Sequence, residues 1–150
     1  MKTIYFSEHI NADAKKVHSK MLNRDSYREW TKPFSPTSDV KGTWEENSKV
    51  RFTSLDQNGN EAGMVSIIDK NIPGEIVIIR HLGMFDQSGE KYEGPGIDNW
   101  RNALEIYRFK EENGKTNVLC SLEISDEDDL HMFDEMWPDA LKKLKEICEQ

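Results

Sequence analysis

Apolar and polar residues alternate along residues 116–124, where Thr116, Val118, Cys120, Leu122 and Ile124 share one face. A period of two is the signature of a half-buried strand. Directly afterwards the period lengthens: Leu130, Phe133, Trp137, Ala140, Leu141, Leu144 and Cys148 recur at spacings of three and four, with Met132 and Met136 widening the stripe. Ser125-Asp126-Glu127-Asp128 lies between the two patterns, a Ser followed three residues later by an acid. That is a capping box at the positive end of a helix dipole. Together these signals predict a helix of roughly 23 residues, about 34 Å long at 1.5 Å per residue. A helix of that length has to lie across a sizeable sheet.

The rest of the chain supplies one. Thr3 to Ile10 reads as a first strand, and Asn11 or Asp13 caps a short helix with Ala14, Val17, Met21 and Leu22 on one face. Ser26 to Trp30 forms another helical turn or two, stopped before Pro33, and Phe34 sits in the loop that follows. Strands are then expected at Val40–Glu45, Lys49–Leu55, Met64–Asp69 and Ile76–Ile79, the last apolar on both faces and so the most buried. Turns are marked by residues 56–60, 72–75 and 111–115. Ser88 to Ile97 is polar and Gly-rich and reads as the longest mobile loop, after which Trp100 opens a strand carrying Leu104, Ile106, Tyr107 and Phe109. Strand, two helices, consecutive strands and a last long helix indicate an α+β fold. Its sheet is curved and antiparallel, of about six to seven strands, with the helices on one face.

Composition narrows the function more than the fold. The 150 residues fit a single domain, 1–150, with 36% hydrophobic and 32% charged residues, as in a soluble globular chain. No apolar run is long enough to span a membrane, and Met1 to Phe6 lacks a signal-peptide core, so a cytoplasmic location is expected. The formal net charge is −8, and the segment Glu123 to Asp139 holds eight acids and no Lys or Arg. An acidic chain without a basic cluster is a poor nucleic-acid binder. The acids from 126 to 135 form either a solvated helix start or a surface for a basic protein partner. Cys120 and Cys148 fall on predicted apolar faces and read as buried free thiols. His9, His18, His81 and His131 are scattered without ligand spacing, and no nucleophile elbow, Walker loop or dinucleotide fingerprint occurs. No metal and no cofactor are expected.

Particular residues add a resemblance. Ile10-x-Ala12 with Val17, Tyr27-x-x-Trp30, Gly42-x-Trp44, Val50-x-Phe52 and His81-Leu82-Gly83 form one set. Leu104 to Phe109, Gly114-Lys115-Thr116 and a final helix with Trp137-Pro138 and Leu141-x-x-Leu144 complete it. In this order the chain resembles the START-like (SRPBCC, helix-grip) superfamily, and within it the branch of the activator of heat-shock-protein ATPase. The resemblance implies a cavity between the sheet and the C-terminal helix, used by members of the superfamily to hold lipids, polyketides, hormones or other apolar molecules.

On that frame the candidate ligand-binding residues are Trp30, Phe34, Trp44, Phe52, Met64, His81, Trp100, Glu105, Tyr107, Phe133, Met136 and Trp137. They form either an aromatic and Met-lined pocket or an ordinary filled core. Alternation puts His81 on the face of Val77 and Ile79, where a neutral imidazole hydrogen-bonds a guest, acts as a base, or is simply a satisfied core residue. Glu105 shares the face of Tyr107 and Phe109, as a polar anchor or at the mouth. The leading expectation is binding of a small lipophilic molecule, gated by the loop from Asp86 to Asn99. Two alternatives stand beside it: a chaperone-activator-like interaction module using the acidic segment, and a cyclase- or hydrolase-type enzyme using His81. The chain is expected as a monomer or homodimer.

Overall fold

The computed structural model of the chain describes residues Met1–Gln150. Strand β1 (Lys2–Ile10) leads into helices α1 (Ala14–Leu22) and α2 (Arg24–Trp30). Strands β2 (Asp39–Gly42), β3 (Lys49–Leu55), β4 (Glu61–Ile72), β5 (Ile76–Asp86), β6 (Gly89–Lys91), β7 (Leu104–Glu112) and β8 (Lys115–Ile124) follow, and helix α3 (Leu130–Cys148) ends the chain. The sheet runs β1-β8-β7-β5-β4-β3-β2, with β6 paired to the far end of β5, and every neighbouring pair is antiparallel. The expected α+β helix-grip architecture is what forms. The helices follow from local chemistry: the Asp13 side chain accepts the Lys16 N–H at 2.8 Å, and Asn23 accepts that of Asp25 at 3.0 Å. The β7–β8 turn places Asn113 and Gly114 at φ 54° and 76°, the double left-handed geometry of a type I′ hairpin.

The core lies between the sheet and the helices. The inner face of β8 is buried at every predicted position, Thr116 to Ile124. On α3 the stripe from Trp137 through Ala140, Leu141 and Leu144 to Cys148 is buried and packs with Val17 and Met21 of α1 and Trp30 of α2. Both cysteines are free and buried, and burial pushes the Cys148 thiol up to about 11. No helix is long and apolar enough to cross a membrane.

Several local expectations need correction. The capping box closes a turn rather than a helix: the Ser125 N–H donates to Asp128 Oδ2 at 3.0 Å, while α3 starts after Asp129, whose carboxylate caps the His131 N–H at 2.9 Å. The helix is therefore 19 residues, not roughly 23. Its first half is not buried, with Leu130 39% and Met132 55% exposed. Strand β2 stops at Gly42, at φ 116°, so Trp44 lies in the connection to β3. β4 is longer than expected at both ends. Ile76 and Ile78 are only half-buried, because the outer face of this sheet carries no helix. Ser88 to Ile97 is not one open loop, since β6 forms within it and Ile97 is buried. Trp100 sits in the turns before β7, which begins only at Leu104.

One close approach fixes the β3–β4 pairing. A Cβ on Gly63 would stand 1.9 Å from the carbonyl oxygen of Phe52. Gly63→Ala is expected to cost about 2 kcal/mol or more in a urea unfolding curve, as a backbone clash in a sheet interior does.

Candidate functional site

The wall facing α3 is aromatic. Trp30 is fixed from α2 by a hydrogen bond from Nε1 to the Met21 carbonyl at 3.0 Å. Its ring meets Tyr27 edge-on at 5.5 Å, Phe34 at 6.4 Å and Trp137 at 6.2 Å between centroids. Trp137 in turn stacks on Phe6 at 5.9 Å and meets Phe34 at 5.0 Å. These rings do not close the space beside them. A cleft of about 330 Å³ remains, bounded by Trp30, Phe34 and Trp137 on the helical side and by Phe52, Met64 and Tyr107 on the sheet.

A chain of polar side chains is built into the sheet wall of this cleft. Strand β4 pairs Val65 with Gly83 and then Ser66 with His81, so Leu82 is a bulged residue without a partner. A bulge shifts the alternation by one and re-aims the side chains around it. Ser66, fully buried, thus meets His81 with Oγ 2.7 Å from Nδ1. His81 also sits where β7 leaves β5: its N–H donates to the Ala103 carbonyl at 2.9 Å and its carbonyl accepts from Asn102 at 2.8 Å. His81 Nε2 lies 3.2 Å from Glu105 Oε1 on β7, and the Tyr107 hydroxyl donates to Glu105 Oε2. Burial, with Glu105 beside it, holds the Tyr107 phenol well above its ordinary pKa, so the proton stays on the phenol. The pattern that uses every hydrogen has Ser66 donating to Nδ1 of a neutral imidazole, which donates from Nε2 to the Glu105 carboxylate.

A second cleft, about 550 Å³, opens on the other side of these groups. It shares Met64, His81, Glu105, Leu122 and Phe133 with the first and is completed by Met84, Trp100, Met132 and the carboxylates of Glu123 and Asp128. Trp100 is held by its Nε1, which donates to the Gly96 carbonyl at 2.5 Å. The segment expected to gate the cavity is pinned over its first part. Glu90 of β6 is gripped by Lys49 at 2.5 Å and Arg51 at 2.7 Å, and accepts from the Tyr92 hydroxyl at 2.5 Å. Those partners lower its carboxyl to about 2.

Of the residues singled out from the sequence, Trp30, Phe34, Phe52, Met64, His81, Trp100, Glu105, Tyr107, Phe133 and Trp137 line one cleft or both. Trp44 and Met136 line neither. Trp44 packs behind the wall on Tyr27 and Phe52, with its carbonyl taken by Asn71 Nδ2 at 2.9 Å, and Met136 is half-buried on the flank of α3. Sequence reasoning passed over Ser66, Tyr27 and Leu122. Each carried a signal: Leu122 on the apolar face of its strand, Tyr27 in step with Trp30, and Ser66 as a small hydroxyl in step with Met64 and Ile68. In the acidic segment, Asp128 and Asp129 are committed to capping backbone N–H groups, while Asp126, Glu127, Asp134 and Glu135 face solvent. No group of three or more His, Cys, Asp or Glu side chains is arranged to hold a metal ion.

No family model and no curated protein matches the sequence. Solved structures do match its shape. A protein from Chromobacterium violaceum superposes with a TM-score of 0.75 at 14% identity, over 99% of this chain and 97% of that one. The Aha1 dimer from Colwellia psychrerythraea gives 0.71 at 19% identity over 99% and 97%. The AHSA1-like protein from Aeromonas hydrophila gives 0.70 at 12% identity over 97% and 90%. The chain therefore has the START-like helix-grip fold, and Aha1 and AHSA1-like proteins are among those that share it.

Removing the Ser66 hydroxyl tests the polar chain. Ser66→Ala leaves Nδ1 of a buried imidazole without its partner and is expected to lower unfolding free energy by about 1–3 kcal/mol in urea titrations. A loss below about 0.5 kcal/mol, the range of a neutral surface change, would mean that the Ser66–His81 bond does not form.

Proposed function

We propose that this protein binds a small apolar or amphipathic molecule between the inner face of the sheet and the first half of α3. The observation that carries the reading is the pair of clefts meeting at Met64, His81, Glu105, Leu122 and Phe133, where aromatic and aliphatic side chains surround the polar pair His81 and Glu105. Sites for small molecules have this composition: mostly apolar lining with a few placed hydrogen-bonding groups. Apolar burial would supply the affinity, about 5 kcal/mol for a guest that buries about 200 Å² at roughly 25 cal/mol per Å². Glu105 and His81 would orient it. The geometry favours orientation over proton abstraction for His81, since both ring nitrogens are already engaged by Ser66 and Glu105.

Titration with Nile red, a neutral apolar dye, tests the reading. A saturable, single-site rise in blue-shifted emission is expected. Phe133 borders both clefts, so Phe133→Ala should weaken uptake about tenfold, or about 1.4 kcal/mol, with far-UV circular dichroism unchanged. Absence of saturable uptake by the native protein would contradict the proposal.

A further inference from the structure

The charge around the two clefts is of one sign. Glu105 is the only Asp, Glu, Lys or Arg in the wall of the aromatic cleft, and its neighbour adds Glu123 and Asp128. Neither cleft is lined by Lys or Arg. Lys2 comes near the second, but its Nζ is bound to the carbonyl oxygens of Asp126 and Asp128, at 3.1 and 3.4 Å. Glu123 spends one carboxylate oxygen on the Leu104 N–H at 2.7 Å and Asp128 one on the Ser125 N–H at 3.0 Å; the other oxygen of each has no protein partner.

Glu105 is the group that matters, because it lines both clefts and neither offers it a Lys or Arg partner. The Ser66 hydroxyl has His81 Nδ1 as its only partner, and His81 Nε2 lies 3.2 Å from Glu105 Oε1. The Tyr107 phenol keeps its proton. Two hydrogen bonds, one with His81 and one from Tyr107, reach the carboxylate, and each oxygen retains lone-pair capacity. A carboxylate at an apolar wall without a cation is costly, and a guest that brings the cation removes that cost. The rings around it favour the same guest, since Phe52 and Phe133 border the cleft beside Glu105 and aromatic faces attract a cation.

We propose that the guest is an amphipathic cation: a protonated primary amine on an aromatic or branched apolar body. The inference rests on the cavity-binding reading above. The ammonium donates charge-assisted hydrogen bonds to Glu105, and the body lies among Trp30, Phe34 and Trp137. Carboxylate amphiphiles such as fatty acids are disfavoured by the same geometry, as like charges would meet at Glu105.

Three probes with one body and three heads test this: 2-(1-naphthyl)ethylamine, 2-(1-naphthyl)ethanol and 1-naphthylacetate, titrated calorimetrically into the native protein at neutral pH. The amine is expected to bind at least tenfold tighter than the alcohol, and the acetate most weakly. Glu105→Gln should erase the advantage of the amine while leaving the alcohol within about twofold, whereas Glu123→Gln on the outer cleft should shift the amine less than threefold. Should Glu105→Gln fail to fold, the ranking on the native protein decides. An alcohol that binds as tightly as the amine, or an acetate that binds tighter, overturns the inference and leaves the cavity reading standing. Failure of all three to bind overturns both.

Discussion

Trp137 is the wedge on which this architecture depends. From Ala140 to Cys148, α3 presents small and aliphatic side chains that seat it closely against α1, α2 and β1. One turn earlier the indole of Trp137 is set among Phe6, Trp30, Phe34 and Tyr107. Rings of that size pack edge to face at about 5–7 Å and cannot nest as aliphatic side chains do. The second half of the helix is thus buried, while along the first Leu130 and Met132 stay exposed and Phe133 is only partly buried against the core. The clefts are the space left by that difference.

The polar chain across the sheet is the second consequence of local backbone detail. The bulge at Leu82 brings Ser66 and His81 together, and the departure of β7 from β5 at the same level lets Glu105 reach the imidazole. Each member is satisfied by the next, which is the condition under which polar groups are tolerated inside a fold. A cluster that served packing alone would be cheaper as aliphatic side chains. The cluster lies at the junction of the two clefts.

The elements whose periodicity and turn chemistry agree were readable in the sequence. The alternation of β8, the stripe from Trp137 to Cys148, the Asp13 cap and the Asn113-Gly114 hairpin all form where local signals place them. Most of the aromatic wall was readable too, because rings on an inner strand face and a helix stripe must converge if the helix lies on the sheet. What failed did so for identifiable reasons. Ser125 and Asp128 carry the residues of a capping box, but here the Ser125 N–H donates to Asp128 while the Ser125 hydroxyl accepts from the Glu127 N–H, closing a free-standing turn that sequence cannot tell from a helix start. Trp44 lies beyond the end of β2 and packs on Tyr27 and Phe52, and Met136 sits on the flank of α3, so neither reaches a cleft. The Ser66–His81 contact depends on a one-residue bulge, for which no residue pattern gave notice.

Hydrogen-exchange mass spectrometry along α3 tests the wedge directly. If Trp137 divides the helix into a sealed and a lifted half, amides from Ala140 to Glu146 should exchange orders of magnitude more slowly than those from Phe133 to Met136, in the absence of any added molecule. Uniform protection along the whole helix would mean that its first half is packed down like the second, and the account of an open interior would be wrong.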